Sequence, residues 1–305
     1  MMKRRTFLTT TAASALGATL QPGLPLAVSA DRITKRIPKT GERIGVIGMG
    51  SSVTFNVGSD EDARNVRTEV LRTFFEAGGG MIDSSPMYGS SEEVIGYGLD
   101  RLSPGKKLFS ATKVWTSSKS EGVKQFSGSR SLWGLDRFDL YQIHNLVGLR
   151  RHLETLSDMK AVGKIRYIGI TTSHGRRHDD LEKIITRHPV DFVQLSYNAG
   201  NRDAEERLLP ASAEHGIAVI ANRPFQRRSL IERVERSPLP DWAAEIGCTA
   251  WPQVLLKFAV SHPVITCAIP ATSQVIHMKE NMVAGTGILP DVDLRHRIAK
   301  FVDNI

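Results

Sequence analysis

From residue 45 onward, short apolar runs alternate with longer amphipathic stretches. The runs cover 45–48, 80–83, 108–113, 139–144, 165–170, 192–195, 218–221 and 265–270, which makes eight candidate strands. Between most of them the apolar residues recur at helical spacing, as over 61–77 and 150–161. Strand-then-helix alternation predicts parallel pairing, and eight repeats predict closure into an α/β fold of the (β/α)8 TIM-barrel type. Ahead of the repeats, 36–44 reads as two short extended segments around a Gly turn, a β-hairpin. A doubly wound open sheet is the competing architecture. It calls for a Gly-rich fingerprint after the first strand, and Gly48-Met49-Gly50-Ser51-Ser52 fits that poorly.

A barrel places chemistry at the C-terminal ends of its strands. Asp83, Lys113, His144, Gln194 and Asn222 each end an apolar run in this chain. One such ending is commonplace, whereas five form a pattern.

Composition narrows the picture further. The chain has 305 residues and a formal charge of +8. Its first thirty residues hold Lys3, Arg4 and Arg5 and no acid, so the remaining 275 carry +5. Basic residues such as Arg150-Arg151, Arg176-Arg177 and Arg227-Arg228 are scattered among acids, without interleaved aromatics, which argues against a nucleic-acid partner. Cys248 and Cys267 both sit in apolar contexts and read as buried free thiols.

The N-terminus carries a separate signal. Arg4-Arg5 precedes a weakly apolar Ala/Thr/Leu-rich stretch, which ends in the small residues Val28-Ser29-Ala30. That order is the pattern of an export peptide, and the paired arginines suggest the twin-arginine route. Two domains follow: a signal peptide over 1–30 and a barrel over 31–305. The expected location is periplasmic or otherwise exported from a bacterium, with the twin-arginine machinery as a partner. An uncleaved anchor is the alternative, although the run is short and interrupted by Pro22. No later stretch is long enough to span a bilayer, so no stable membrane span is expected after cleavage.

Asp83, Tyr88, Lys113 and His144 come from three consecutive strand ends and can converge. A tyrosine with a pKa near ~10 is a weak acid at neutral pH. An adjacent ammonium stabilises its phenolate, a carboxylate such as Asp83 keeps that ammonium charged, and a neutral His144 can polarise a carbonyl oxygen. Taken singly, Asp83 reads as a turn or cap residue, Lys113 as a snorkelling side chain and His144 as a satisfied barrel histidine; it is their joint placement at matching strand ends that points to chemistry. Trp115 and Trp133 are candidate walls of an apolar pocket or members of the outer packing layer.

The chain here resembles the aldo/keto reductase family. Ile82-Asp83-Ser84-Ser85-Pro86-Met87-Tyr88-Gly89 followed by Ser91-Glu92 is similar to that family's Asp-to-Tyr signature. Ala111-Thr112-Lys113, Asp139-Leu140-Tyr141-Gln142-Ile143-His144, Ile165-Arg166-Tyr167-Ile168-Gly169 and Ile269-Pro270 through Glu280-Asn281 follow in the family order. The resemblance spans about residues 34–285. It implies Asp83, Tyr88, Lys113 and His144 as the catalytic set, no metal, and reduction of a small carbonyl substrate with NADPH or NADH. It also implies a cofactor laid across the barrel mouth. Gln194 would hold the carboxamide, and Gly50, Ser51, Thr171 and Thr172 would also be among the cofactor-binding residues. Asn222, Arg223, Pro224 and Phe225 would lie beside the nicotinamide and pyrophosphate, and Pro270, Ala271, Thr272 and Ser273 at the adenosine phosphate. His277, Glu280 and Asn281 would lie near the adenine.

Four departures bear on that assignment. Thr171-Thr172 replaces a Ser-Asn pair, and Asn222 stands where many members stack a tyrosine. Ala271 and His277 occupy positions where some members carry cations for the 2′-phosphate, which weakens NADPH relative to NADH; Arg227 or Arg228 can supply substitute charge. A different class of function stays open: a nicotinamide-nucleotide-binding or redox-sensing subunit that does not turn over.

Overall fold

The computed structural model describes residues 32–305. The export-peptide reading lies outside the described residues.

The hairpin is made by β1 (Thr34–Arg36) and β2 (Arg43–Gly45), paired antiparallel with Lys35 opposite Ile44. Eight parallel strands follow: β3 (Met49–Gly50), β4 (Met81–Asp83), β5 (Phe109–Val114), β6 (Phe138–His144), β7 (Ile165–Thr171), β8 (Phe192–Ser196), β9 (Ala218–Asn222) and β10 (Ile265–Ala268). They hydrogen-bond in sequence order from β3 to β10. Parallel bridges from Ile47 to Ala268 and from Gly50 to Ala271 bring the last strand back to the first. This is the (β/α)8 barrel that the pattern predicts. The one displaced strand is the first. Gly45 belongs to the hairpin, and regular pairing begins only at Met49, so the 45–48 run is split between two elements.

Helices fill the connections: α1 (Glu61–Glu76), α2 (Ser91–Leu102), α3 (Lys119–Trp133), α4 (Leu149–Ala161), α5 (His178–Arg187), α6 (Leu208–Glu214), α7 (Ser229–Val234), α8 (Trp242–Glu245), α9 (Trp251–Ser261), α10 (Val275–Val283) and α11 (Val292–Asp303). Their starts follow local chemistry. Asp60 caps α1 by accepting from the Ala63 N–H at 2.9 Å, and Asp291 caps α11 by accepting from the Leu294 N–H at 2.8 Å. None of the described helices is long and apolar enough to cross a membrane.

The core has two parts, as strand alternation requires. Outward strand residues such as Ile82, Ile143 and Val193 pack under the helices. Inward residues Met81, Phe109, Leu140, Tyr167, Phe192, Ala218 and Ile220 form a smaller cluster with Ile37 and Ile44. Ile37 and Ile44 flank the hairpin turn, so the hairpin plugs the barrel at the end away from the strand C-termini. Cys248 and Cys267 are both buried and unbridged, as their apolar contexts predict.

Candidate active site

Side chains two apart on a strand share a face. The inward positions that begin as Met81, Phe109, Leu140 and Phe192 therefore continue as Asp83, Lys113, Gln142, His144 and Gln194, and the barrel interior turns from apolar to polar along its axis. Asp83 and Lys113 lie at the centre of that change. The Lys113 ammonium donates to Asp83 Oδ2 at 2.5 Å and to the Ser84 carbonyl at 2.7 Å, with neither side chain more than 3% exposed. The other carboxylate oxygen of Asp83 accepts from Gln142 Nε2 at 2.8 Å and from Gln194 Nε2 at 3.0 Å. Space for Gln142 comes from Gly169, where a Cβ would sit 2.7 Å from Gln142 Cγ. Nearer the mouth, Tyr88 and His144 meet edge to face with ring centroids 5.8 Å apart, and Lys113 Nζ lies 5.1 Å from the centre of the Tyr88 ring. The four residues therefore meet in one place.

Their protonation states follow from burial and charge. Burial opposes the Lys113 ammonium, but Asp83 and Tyr88 outweigh it and hold its pKa above the ordinary lysine value. Burial also raises the Tyr88 phenol, with Lys113 pulling the other way. The net direction is upward, contrary to the lowering expected from the ammonium alone, because desolvation of the phenolate is the larger effect. His144 is pushed down to about 3, first by burial and then by Lys113, so the ring is neutral at physiological pH. Its Nδ1 lies 3.0 Å from Ser85 Oγ.

The remaining predicted residues divide by position. Ser51 Oγ lies within hydrogen-bond distance of the Asp83 carbonyl at 3.0 Å and of Ser84 Oγ at 2.8 Å, bracing the β4 end, while Gly50 packs against the Ile269 carbonyl where the barrel closes. Gln194 sits within the barrel, bound to Asp83 and Gln142 and accepting from Thr171 Oγ1 at 3.2 Å. Asn222 Nδ2 donates to the Thr172 carbonyl at 2.9 Å, and its Oδ1 accepts from Ser196 Oγ at 2.8 Å. Pro224 is buried and Phe225 half-buried beside them. Across the β10 end, Pro270, Thr272 and Asn281 are buried, Ser273 and Glu280 half-buried, and Ala271 and His277 exposed.

A polar cavity of about 260 Å³ opens between the ends of β7, β8 and β9, lined in part by His174, Ser196, Asn198, Arg223 and Gln226. Burial, Arg227 and Arg176 all disfavour the charged form of Arg223, and no ion pair relieves these three guanidiniums among the described residues. Arg228, by contrast, is paired with Glu232 at 3.2 Å. Arg223, Gln226, Arg227 and Arg228 all take left-handed backbone, at φ of 53°, 49°, 57° and 83°. Side chains pay for that conformation, so this loop stores strain next to concentrated positive charge.

The profile of the aldo/keto reductase family matches residues 46–295, which includes every element from β3 to the start of α11. The chain belongs to the aldo/keto reductase family. It is 28% identical over 243 residues to the methylglyoxal reductase YeaE of Escherichia coli (strain K12), covering 77% of this chain and 83% of that protein. The thermostable aldo-keto reductase Tm1743, solved with the inhibitor epalrestat, superposes with a TM-score of 0.75 at 26% identity, covering 88% of this chain and 99% of that one. An aldo/keto reductase from Klebsiella pneumoniae, solved with NADP and acetate, shares the fold with a TM-score of 0.74 at 23% identity, covering 89% and 96%.

In this aldo/keto reductase three features escaped the reading of the sequence. Gln142 binds Asp83 directly, and its spacing of two from His144 was the available signal. Ser85 contacts His144 from within the Asp-to-Tyr segment. His174 and Arg176 join the arginine cluster through loop folding, which leaves no local trace. Trp133 is a core residue, packed on Phe138 and donating to buried Glu92 at 3.2 Å, so it walls no pocket. Trp115 is 44% exposed.

Proposed function

We propose that this aldo/keto reductase reduces an aldehyde or ketone to an alcohol with NADPH, with Asp83, Tyr88, Lys113 and His144 as its catalytic set. The observation that carries the reading is the buried Lys113 held between the Asp83 carboxylate and the Tyr88 ring. The reduced nicotinamide, when bound, supplies a hydride to the carbonyl carbon. Tyr88 gives the proton to the carbonyl oxygen. Its raised pKa keeps that proton in place at neutral pH, and Lys113 stabilises the phenolate left behind. Asp83 keeps Lys113 charged, and neutral His144 orients the oxygen.

The residues present suit such a cofactor. Arg176, Arg223 and Arg227 form no ion pair among the described residues, which makes them natural partners for phosphate groups, and the strained loop 223–228 can trade its backbone strain for contacts to them. Arg227 would then supply positive charge in place of that absent at Ala271 and His277. Gln194 would hold the carboxamide of the bound cofactor, with Thr171 and Thr172 also among its binding residues, and Thr272, Ser273, Glu280 and Asn281 would hold its adenosine end. The name of the E. coli relative makes a small dicarbonyl the first substrate to try.

The test is oxidation of NADPH and of NADH with a panel of small aldehydes, quinones and diketones. Tyr88→Phe is expected to lower turnover about 100- to 10,000-fold and leave nucleotide affinity near the parent value. Binding without turnover across the panel would instead favour the sensing subunit.

Residues 1–30 are read as a twin-arginine peptide and the barrel from 31 as its exported cargo, folded around its cofactor before crossing. This reading is supported by Arg4-Arg5 and by Val28-Ser29-Ala30. Replacing Arg4-Arg5 by two lysines, followed by fractionation of cells, tests it; undiminished export would count against this route.

A further inference from the structure

Ser85 lies between the two residues that face the carbonyl. Its hydroxyl is wholly buried, 3.0 Å from His144 Nδ1, and its oxygen takes the Met87 N–H at 3.4 Å. The Ser85 carbonyl accepts the Tyr88 N–H at 3.0 Å, so one short turn positions both the phenol and the imidazole. A hydroxyl has a single hydrogen to give, and His144 Nδ1 is the one acceptor near that of Ser85 among the described residues. Were Nδ1 protonated, this hydrogen would be left unpaired in a solvent-free position, a costly arrangement. A neutral imidazole carries one N–H, so accepting at Nδ1 puts it on Nε2. No protein group binds Nε2 among the described residues, and the ring presents its edge or face to Tyr88 at 88°.

We propose that Ser85 is a positioning residue: its hydroxyl donates to Nδ1, fixes His144 as the Nε2–H tautomer, and so keeps a hydrogen-bond donor free for the carbonyl oxygen. The neutral state of the ring, imposed by burial and by Lys113, is the condition for a tautomer to matter. The role in turnover rests on the reductase reading, whereas the tautomer does not.

The experiment is long-range proton–nitrogen correlation on ¹⁵N-histidine-labelled protein, with His144 assigned by its loss in His144→Gln, alongside steady-state kinetics. The parent is expected to show Nδ1 bare and Nε2 protonated. In Ser85→Ala the ring should become a mixture of tautomers, and kcat should fall about 3- to 10-fold, the worth of one neutral hydrogen bond, with nucleotide affinity unchanged. Ser85→Cys keeps a weak donor of similar size and should fall between the two. A parent ring protonated on Nδ1 overturns the proposal, and so does a Ser85→Ala protein that keeps either the parent tautomer or the parent kcat. A parent that shows Nε2–H yet reduces no carbonyl would count against the reductase reading and leave the tautomer assignment standing.

Discussion

A lysine removed from water stays charged only when something nearby repays the lost hydration. Lys113 is repaid by a carboxylate, a carbonyl and a phenol ring, and Asp83 in turn depends on Lys113 and two amides. Each member leaves another stranded when it goes. Lys113→Met is therefore expected to cost about 3–5 kcal/mol, the penalty of an uncompensated buried charge, read as a lower urea midpoint, besides abolishing turnover. His144 makes a second prediction. Its folded pKa of about 3 lies below the ordinary 6.5, so between those values the unfolded chain binds the proton and the native one does not. Stability must then fall as pH drops through that window, by about 2 kcal/mol from pH 7 to pH 5 for this residue alone. Denaturant unfolding at the two pH values, with His144→Gln as reference, measures it; an equal slope in the variant would remove His144 as the cause.

At the scale of elements, strand alternation converts sequence spacing into depth. Phe109, Ala111 and Lys113 all point inward, so an apolar base and a charged rim are built into one six-residue strand. The fit between neighbouring strands is as demanding. Gly169 opposes Gln142 in the register of β7 against β6, and a methyl there would meet Gln142 Cγ. Gly169→Ala is expected to cost about 1–3 kcal/mol from overpacking and to lower kcat by pushing Gln142 away from Asp83. A thermal shift without loss of activity would show that Gln142 does not hold the carboxylate in its working position. Much of this level was legible beforehand: the strand–helix rhythm, the hairpin, and Asp83, Lys113 and His144 at strand ends. The depth of Gln194 was not, because spacing sets the face of a strand but not how far a side chain reaches before it finds a partner.

Across the whole molecule, the hairpin closes the base of the barrel, and the opposite mouth is cationic around the ends of β7 and β9. Charges that are unpaired and partly solvated act over about one Debye length, which shrinks from about 30 Å at 0.01 M salt to about 8 Å at 0.15 M. NADPH affinity is accordingly expected to weaken as salt rises over that range, and Arg223→Ala should flatten the dependence. Fluorescence titration at several ionic strengths gives the slope, and a slope unaffected by the substitution would place the phosphates elsewhere.

The order of polar and apolar residues was sufficient by itself to predict the barrel and the hairpin and to put Asp83, Lys113 and His144 at strand ends, because period and spacing are local properties of a chain; grouping Tyr88 with them as one catalytic set came from the resemblance to the family. Assembly decided the rest. That Tyr88 is a weaker acid than its cationic neighbour suggests, that Gln142 and Gln194 share Asp83, that Ser85 reaches His144, and that Arg176 gathers with Arg223 and Arg227 all depend on distances across strands and loops. Desolvation and Coulomb interactions are set by those distances, and they come into being only when the barrel closes.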